Sequence, residues 1–330
     1  MPKSLVTGGA GFIGLHLARR LHRRGHEVVL ADNFARGRRD PDLEQFLSDS
    51  GARMVTADLL REGAFEEAGQ DFDFVFHLAA LIGVEIVRSR PYEVLSWNAA
   101  MLDNVLRFAR RQRRLSRLLF SSTSEVYAGT LQHFSMQVPT PETTPLAVTD
   151  LSEPRTTYML SKIHGEALCR HSGLSWTIFR VHNAYGPRMG LSHVIPELLR
   201  KAHHSEEGGR LEVYSVSHSR SFCFVEDLAE LLCRMAELPA CKGEILNAGS
   251  QGPEVTMGEL AGIILEVTGK RLEIVAMPET PGSPRRRAPD MTKTTALTGY
   301  TAQVSLRDGV ALTYDWYRSR VFEGRQESAI

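Results

Sequence analysis

Tyr158 and Lys162 stand four positions apart near the middle of the chain. Their side chains, a phenol and an ammonium, could act together in proton transfer. Positions i and i+4 share one face of a helix, so a helix here would bring the two side chains together. Free tyrosine has a pKa of about 10, and a neighbouring ammonium favours its phenolate form. Such a phenolate could accept a proton from a substrate hydroxyl. A lone pair of this kind is more often a surface feature, so its interpretation depends on the elements that position it.

Three glycines at a spacing of three, Gly8, Gly11 and Gly14, lie between the first apolar run of the chain and a helical stretch. This order predicts a strand, a tight turn and a helix whose N-terminus can bind a pyrophosphate. A second apolar run ends at Asp32. A carboxylate there can accept hydrogen bonds from the ribose hydroxyls of NAD and would repel the 2′-phosphate of NADP. The pattern predicts an NAD site, with a glycine-rich turn of an unrelated α/β protein as the alternative.

Short apolar runs alternate with amphipathic stretches through the first half of the chain. The runs predict strands at 4–7, 27–31, 53–56, 72–78, 118–121 and 176–180. The amphipathic stretches predict helices near 15–24, 60–68, 96–112 and 156–171. Alternation of this kind is typical of right-handed βαβ units. We therefore expect an α/β protein with a Rossmann-type, doubly wound parallel sheet, and ligands beyond the carboxyl ends of its strands.

Small and polar residues follow several of the predicted strands. Asp58 is expected to meet the adenine of the cofactor, with an ordinary loop aspartate as an equal alternative. Ala79 and Ala80 are small enough for a cofactor to lie against the backbone, whereas His77 is expected to pack beside the sheet. The segment 129–149 is rich in threonine and proline and predicts a surface loop, which could cover the site.

The pattern of strands and helices is looser in the second half of the chain. Helices are expected near 193–203, 225–238, 256–268 and 306–320, and short strands near 211–214 and 244–247. We expect residues 1–180 to form the cofactor-binding domain, to which a segment near 222–248 returns. Residues 181–221 and 249–330 would form a smaller C-terminal α/β domain, which is the other wall of a cleft.

The composition is that of a globular protein of 330 residues, with 42% hydrophobic residues and equal numbers, 39 each, of Lys+Arg and Asp+Glu. The lack of a basic excess argues against a nucleic-acid binder. The four cysteines have no metal-ligand spacing, so we expect no metal site and reduced thiols in the cytoplasm. No signal peptide is recognised and no apolar run approaches the roughly 20 residues that cross a bilayer, so no membrane partner is expected.

Taken together, these residues resemble the extended short-chain dehydrogenase/reductase family, which comprises NAD-dependent nucleotide-sugar epimerases, dehydratases and decarboxylases. The resemblance covers nearly the whole chain. It rests on the motifs Gly8–Gly14, Asp32–Asn33, Asp58–Leu59, His77–Ala80, Asn98, Ser121–Tyr127, Tyr158 with Lys162, Asn183–Pro187, Arg220–Phe222, Val225–Asp227 and Asn247–Ser250. As a set these motifs are specific to the family and much less specific to the substrate.

The resemblance implies three groups of site residues. The cofactor-binding group is Gly8, Gly11, Phe12, Ile13, Gly14, Asp32, Asn33, Asp58, Leu59, Leu78, Ala79, Ala80, Asn98, Ser121, Tyr158 and Lys162. The substrate-binding group is Asn183, His193, Val194, Tyr214, Arg220 and Arg287. The catalytic group is Thr123, Ser124, Glu125, Tyr158 and Lys162. The implied cofactor is NAD, the implied partner is a nucleotide-diphosphate sugar, and the family also implies a homodimer through helices near 96–112 and 156–171.

The resemblance also implies a reaction, in which the sugar is oxidised at C4 and NAD is reduced and reoxidised within one turnover. Thr123 would hydrogen bond the 4-hydroxyl of the sugar, and Tyr158 would take its proton. Lys162 would hold the nicotinamide ribose and lower the pKa of the tyrosine. Asn183 and Arg220 would contact the diphosphate, since arginine offers phosphate a planar fork of donors.

The stretch from Ser122 to Tyr127 resembles UDP-glucuronate decarboxylases more than simple 4-epimerases, which usually lack an acid at the position of Glu125. Oxidation of a hexuronate at C4 gives a β-keto acid, which loses carbon dioxide. Glu125 could then relay a proton to C5 and Arg287 could hold the substrate, with a structural carboxylate as the alternative for Glu125. A 4-epimerase and a 4,6-dehydratase remain open. So does a non-catalytic dinucleotide-sensing protein, against which the retained Tyr158 and Lys162 argue.

Three features depart from the family pattern. Residues 215–219 replace a Gly-Asp-Gly turn, His182 stands where phenylalanine is usual, and residues 129–138 resemble an insertion. His182, His193 and His218 could reshape the sugar or nucleotide pocket, although a histidine in such a place is more often packed or on the surface.

Overall fold

The computed structural model describes residues 1–280 and 282–324, and within them the chain forms fourteen strands. In chain order they are β1 (Lys3–Thr7), β2 (Glu27–Asp32), β3 (Arg53–Thr56), β4 (Phe74–His77), β5 (Arg117–Thr123), β6 (Trp176–Val181), β7 (Ala184–Tyr185), β8 (Arg210–Tyr214), β9 (Ser219–Ser221), β10 (Cys223–Phe224), β11 (Ile245–Ala248), β12 (Glu254–Thr256), β13 (Glu273–Met277) and β14 (Arg286–Arg287). Seven of them form one parallel sheet in the order β3-β2-β1-β4-β5-β6-β11. The order reverses between β1 and β4, which is the doubly wound arrangement, so the predicted fold class is confirmed.

The described part of the chain has eleven α-helices, some of which cover both faces of this sheet while others build the second half of the chain. They are α1 (Phe12–Arg23), α2 (Pro41–Ser50), α3 (Val84–Ser89), α4 (Pro91–Arg110), α5 (Ala128–His133), α6 (Pro154–Arg170), α7 (Val194–His204), α8 (Val225–Glu237), α9 (Met257–Thr268), α10 (Thr292–Thr298) and α11 (Leu306–Tyr317). Neighbouring strand residues face opposite sides: Val6 packs in the core with α1 and α8, and Leu5 packs in the core with α4 and α6. Burial on both faces explains why the strands are continuous apolar runs. In the described part of the chain, no helix has the length and apolarity that a bilayer crossing requires.

In the first half of the chain one predicted helix is wrong, and α2 is among the helices that the sequence analysis missed. The predicted helix near 60–68 is instead a series of turns with one 3-10 turn at Glu66–Ala68. Gly63 and Gly69 have φ of 79° and 92°, so the backbone leaves the helical region on both sides of that turn. Helix α2 was not predicted, although Asp40 caps it by accepting the Leu43 amide at 2.9 Å and a proline follows as its first residue.

The segment 129–149 is largely the expected surface loop, since it has no helix or strand after α5 and Phe134 is 64% exposed, but two of its threonines are buried. It begins within α5, and both Thr130 and Thr140 are buried. The Thr140 amide donates to the Ala288 carbonyl at 2.9 Å, and the Thr140 carbonyl accepts the Asp290 amide at 2.9 Å. These bonds fasten the segment at Thr140 to the chain that follows β14.

The chain returns to the main sheet where the sequence predicts it, because α8 is followed by β11, which pairs with β6. The remaining strands form three small sheets, β10-β7, β12-β9-β14 and β13-β8. A second hydrophobic core lies among α7, α9 and α11 and includes Leu199, Leu260 and Val310, all fully buried. The exact boundaries of the two expected domains stay a prediction.

Candidate active site

The turn after β1 is built to receive a negatively charged group. Gly8 has φ 70°, and a Cβ there would lie 2.9 Å from the Ala79 amide nitrogen, while a Cβ on Gly14 would collide with the Gly8 carbonyl. Gly11 precedes α1, whose first turn contains no acidic side chain. The first amides of α1 are therefore available to an anion. The three predicted glycines thus form a cradle that fits the pyrophosphate of NAD.

Asp32 ends β2 and is buried. Its carboxylate accepts the Ala10 amide at 3.1 Å and the Phe34 amide at 2.8 Å. Burial raises the pKa of Asp32, and these backbone hydrogen bonds act in the opposite direction. The carboxylate ties the loop after β2 to the glycine turn and retains acceptor capacity for ribose hydroxyls. Asn33 beside it is exposed and accepts the Ala35 amide at 3.0 Å.

Two further pairs of residues belong to the predicted cofactor group, one at the start of α1 and one after β3. Phe12 and Ile13 open α1 and pack partly against the core. Leu59, after β3, is buried, whereas Asp58 is partly exposed and accepts the Leu60 amide at 3.2 Å. Asp58 therefore shapes its own loop, which agrees with either interpretation offered for it.

Small residues follow β4, as the sequence analysis noted. The Leu78 amide donates to the last carbonyl of β1 at 3.2 Å, and Ala79 and Ala80 are half-buried. Asn98 of α4 accepts the Leu81 amide at 2.7 Å and donates to the Leu81 carbonyl at 3.1 Å. Asn98 thereby fixes this segment next to the glycine turn.

His77 packs beside the sheet, as expected. Its Nδ1 lies 2.9 Å from Thr7 Oγ1, and its ring stacks on Phe120 with centroids 6.0 Å apart. Burial lowers the pKa of His77 to about 3, so the ring is neutral at physiological pH.

Tyr158 and Lys162 lie on α6, one helical turn apart. The ammonium nitrogen of Lys162 is 5.8 Å from the centroid of the Tyr158 ring and donates to the Ser121 carbonyl at 2.8 Å. Lys162 is 5% exposed, and burial lowers its pKa to about 8. The geometry brings the predicted pair together with the end of β5.

The protein's own groups do not favour the phenolate of Tyr158. Burial raises its pKa, and the carboxylate of Glu125 raises it further, while a hydrogen bond with Thr123 and the charge of Arg36 act against them. The expectation that Lys162 lowers this pKa is therefore not met by the protein alone. The physical reason is that desolvation of the phenol dominates and the ammonium is engaged by the Ser121 carbonyl.

Thr123 ends β5 and positions the next three residues. Its hydroxyl accepts the Glu125 amide at 3.3 Å and caps the 3-10 turn Ser124–Tyr127. Ser124 is 8% exposed. Together with the hydrogen bond between Thr123 and Tyr158, this cap gathers the predicted catalytic group at the carboxyl end of β5.

Glu125 is held between two arginines, one on each carboxylate oxygen. Its Oε1 lies 2.8 Å from Arg287 Nη2, and its Oε2 lies 2.9 Å from Arg155 Nη2 and 3.2 Å from Arg155 Nε. Burial alone would raise the pKa of Glu125, but the two guanidinium groups outweigh it and lower the pKa below the ordinary value. Glu125 is therefore a carboxylate in the resting protein.

Arg220 and Arg287 are neighbours across two strands, since they are paired in the register of β9 and β14. Arg220 donates to the Ser219 carbonyl at 2.7 Å and to Ser283 Oγ at 2.9 Å. Burial and the charge of Arg287 lower the pKa of Arg220 to about 10, with Glu125 acting in the opposite direction. Two of the six predicted substrate residues therefore belong to the group around Glu125.

The other predicted substrate residues lie in the second half of the chain. Asn183 has φ 37° and donates to the Ser221 carbonyl at 2.9 Å. His193 and Val194 form the start of α7, and burial, together with the charge of Arg36, lowers the pKa of His193. Tyr214 ends β8 and is 47% exposed.

The unusual histidines of the second half are packed residues. His182 Nε2 lies 3.1 Å from Asn247 Oδ1, and burial lowers its pKa to about 3. His218 is 1% exposed, and its amide donates to the Ser215 carbonyl at 2.8 Å. Ser215 has φ 53°, so the turn that replaces Gly-Asp-Gly adopts the left-handed backbone without a glycine.

Sequence reasoning missed Arg155 and a buried polar group behind β5. Arg155 stands three residues before Tyr158 on α6, and this helical spacing could have identified it. The buried group is an ion pair of Glu166 with Arg180 at 2.8 Å, in which Arg180 also donates to the Tyr127 hydroxyl at 2.8 Å. The partners of this group are far apart in the sequence, so no local pattern reveals it.

The sequence matches the family model described as NAD dependent epimerase/dehydratase family over residues 4–249, which is well over half of the chain. UDP-glucuronic acid decarboxylase 2 of Arabidopsis thaliana is 33% identical, and the match covers 98% of this chain and 70% of that protein. UDP-N-acetyl-alpha-D-glucosaminuronate decarboxylase of Bacillus cytotoxicus is 32% identical, with 96% of this chain and 98% of that protein covered.

Among solved structures, the crystal structure of UDP-glucose 4-epimerase with UDP-glucose from Thermotoga maritima is similar in fold. Its TM-score is 0.81 and its sequence identity 27%, and the match covers 96% of this chain and 99% of that chain. These similarities confirm the predicted family and NAD as its cofactor. The chain is an enzyme and belongs to the NAD dependent epimerase/dehydratase family.

Proposed function

We propose that this enzyme decarboxylates a UDP-linked hexuronate after transient oxidation of the sugar at C4. The reaction class is supported by the two relatives, both named as decarboxylases of UDP-linked uronates. The observation in this chain that carries the proposal is the group of three guanidinium groups, Arg155, Arg220 and Arg287, around the carboxylate of Glu125 near Tyr158.

The charge of this group supports a uronate rather than a neutral sugar. Three arginines and one glutamate leave a positive excess beside the predicted sugar site. A UDP-linked hexuronate has a diphosphate and a carboxylate, and arginine binds both with paired donors. Arg220 would contact the diphosphate and Arg287 the carboxylate, whereas a neutral sugar would leave Arg287 on Glu125.

The first step is removal of the 4-hydroxyl proton. When bound, NAD supplies the acceptor and later the donor of the C4 hydride. Thr123 would hydrogen bond the 4-hydroxyl and Tyr158 would take its proton. Because burial raises the pKa of Tyr158, the phenolate needs a positive charge next to it, which the oxidised nicotinamide ring carries. Lys162 would hold the nicotinamide ribose.

The second step is the loss of carbon dioxide from the 4-keto hexuronate. The bond between C5 and the carboxylate carbon breaks, and its electron pair forms an enolate with the C4 carbonyl. A proton then adds to C5. Glu125 would relay that proton from solvent once the substrate carboxylate has replaced it on Arg287, because the two arginines keep it ionised until then.

The experiment is incubation of the purified enzyme with UDP-glucuronate, UDP-N-acetylglucosaminuronate, UDP-glucose and GDP-mannose, with product masses measured. Loss of carbon dioxide, loss of water and an unchanged mass with a new sugar separate the decarboxylase, the dehydratase and the epimerase. We expect loss of carbon dioxide from a UDP-linked uronate. Water loss, or epimerisation of neutral sugars with intact uronates, would contradict the proposal. A panel in which every substrate stays unchanged would also contradict it.

We further propose a homodimer and a cytoplasmic location. The homodimer is expected through α4 and α6, the helices that the family resemblance indicates. Light scattering of the purified protein tests it, since a mass near that of one chain would contradict it. The location is supported by the free cysteines Cys169, Cys223, Cys233 and Cys241, which are all buried.

A further inference from the structure

Arg188 reaches from the second half of the chain to the loops that form the cofactor site. Its side chain is 5% exposed. Nη1 donates to the Gly11 carbonyl at 3.1 Å, and Nη2 donates to the Ala10 carbonyl at 3.2 Å and the Arg38 carbonyl at 3.4 Å. Nε donates to Asp40 Oδ2 at 2.8 Å. One guanidinium group therefore binds the turn after β1 and the loop after β2 at once.

The backbone that leads to Arg188 contains several residues with positive φ. Arg188 has φ 69° and Asn183 has φ 37°, which are left-handed values that residues other than glycine rarely adopt. Gly186 between them has φ 151°, and a Cβ there would lie 2.6 Å from a Val225 methyl carbon. Strained backbone of this kind is kept where the surrounding structure or the function requires it.

Two of the carbonyls that accept from Arg188, those of Ala10 and Gly11, lie in the turn that shapes the NAD cradle. The Ala10 amide donates to Asp32, the predicted ribose-binding carboxylate, while the Ala10 carbonyl accepts from Arg188. Gly11 caps α1, whose first amides are available to the pyrophosphate. A cation that holds these carbonyls fixes the direction of the peptide planes and adds positive charge near the pyrophosphate site.

We propose that Arg188 is a positioning residue for NAD, which fixes the two cofactor loops and so retains the cofactor through turnover. The inference does not depend on which sugar reaction the enzyme performs. It requires only that NAD binds the turn of Gly8, Gly11 and Gly14. A merely structural arginine would stabilise the fold without changing the affinity for NAD, so affinity and stability must be measured separately.

The test uses the variants Arg188→Lys and Arg188→Gln, purified as the full chain. NADH binding is measured by fluorescence titration, and release of bound NAD is followed after dilution. We expect Arg188→Gln to bind NADH about tenfold more weakly or worse, which is the loss of one charged hydrogen bond, and to release NAD faster. Arg188→Lys keeps the charge without the planar fork, so its affinity should lie between those of Arg188→Gln and the wild type.

Arg117 provides a matched control. It is also 5% exposed, and it donates to Thr177 Oγ1 and the Met235 carbonyl, both at 3.0 Å, at the opposite end of β5 from Thr123. We expect Arg117→Lys to lower the thermal unfolding temperature while the affinity for NADH and the stabilisation by NAD stay at the wild-type level. The Arg188 variants should lose part of that stabilisation.

An unchanged affinity for NADH in Arg188→Lys and Arg188→Gln would overturn the proposal and leave Arg188 as a structural contact. If Arg188→Gln does not fold, Asp40→Asn decides, because it weakens one Arg188 contact and leaves the oxygen that caps α2. A lower affinity in Asp40→Asn supports the proposal. Wild-type affinity in both Asp40→Asn and Arg188→Lys contradicts it.

Discussion

At the scale of single residues, burial and charge set the protonation of three residues of the predicted catalytic group. Burial keeps Tyr158 protonated and lowers the pKa of Lys162 to about 8. Glu125 remains ionised because two arginines outweigh its desolvation. The resting site thus holds a neutral phenol and a paired carboxylate, and both must change when substrate and cofactor bind.

Tyr158→Phe should lower kcat by a factor of about 100 to 10,000, because a positioned acid–base group contributes that much. The variant should still bind NADH, since the glycine turn that fits the pyrophosphate is unchanged. Steady-state kinetics on the best substrate of the panel, with NADH titration as the control, checks both. A variant that retains wild-type kcat would remove Tyr158 from the mechanism.

Arg155→Gln should shift the pH dependence of kcat/KM through Glu125. Arg155 lowers the pKa of Glu125, so its removal raises that pKa, and the acid limb of the profile should move to higher pH. The matched control is Arg88→Gln, which removes an exposed pair with Glu85 on α3 and should leave the profile unchanged. An acid limb at the wild-type position in Arg155→Gln would show that Glu125 does not titrate in the reaction.

At the scale of elements, the strand–turn–helix at the N-terminus is the unit that the cofactor site depends on. Gly14 is the least replaceable of its glycines, because a Cβ there meets the backbone of Gly8 and Gly9 rather than a flexible side chain. The turn cannot make room for a Cβ at Gly14 unless β1 or α1 moves. Its glycine pattern is therefore a consequence of backbone contact, which is why it could be recognised in the sequence.

Gly14→Ala should abolish NAD retention and lower the thermal unfolding temperature, since the new Cβ collides with the Gly8 carbonyl. Gly262→Ala in α9 is the matched control. A Cβ at Gly262 meets nothing within 4 Å, so alanine should stabilise the helix by up to about 1 kcal/mol. Calorimetry and measurement of bound NAD check both variants. A Gly14→Ala protein with bound NAD and normal stability would contradict the role assigned to this turn.

The elements that sequence reasoning predicted well are those with strong periodic patterns. The buried strands and α1, α4, α6 and α8 have such patterns, and the structure has them close to the predicted positions. The failures have local causes: Gly63 and Gly69 break the expected helix near 60–68, and the capping signals before α2 were not used. The contacts of Glu125 with Arg155 and Arg287 join three separate segments, so only the folded chain reveals them.

At the scale of the whole molecule, a charged seam joins α1 to α8. Glu226 of α8 lies 2.6 Å from His16 Nδ1 and 2.8 Å from Arg23 Nη2. Burial would raise the pKa of Glu226, but the His16 hydrogen bond and the charges of His16, Arg23 and Arg20 lower it to about 2. The seam holds the returning segment of the chain against the helix that begins at the NAD cradle.

This seam predicts a specific loss of stability in acid. The folded-state pKa of Glu226 is depressed, so its stabilisation is full above the ordinary glutamate pKa of about 4.5 and is lost as the pH falls to about 2. Glu226→Gln should cost on the order of 2 kcal/mol at pH 7 and almost nothing at pH 2. Urea unfolding at both pH values, with the exposed Glu62→Gln as control, measures it. An equal cost at both values would contradict the assignment.

The central claim is that one bound NAD oxidises C4 and then reduces the same carbon after carbon dioxide has left. UDP-glucuronate labelled with deuterium at C4 tests it most directly, with the product analysed by mass and NMR. The account predicts a UDP-pentose that has lost carbon dioxide and still carries deuterium at C4. A decarboxylated product without deuterium at C4, or full recovery of both UDP-linked uronates of the panel by NAD-loaded enzyme, would contradict it.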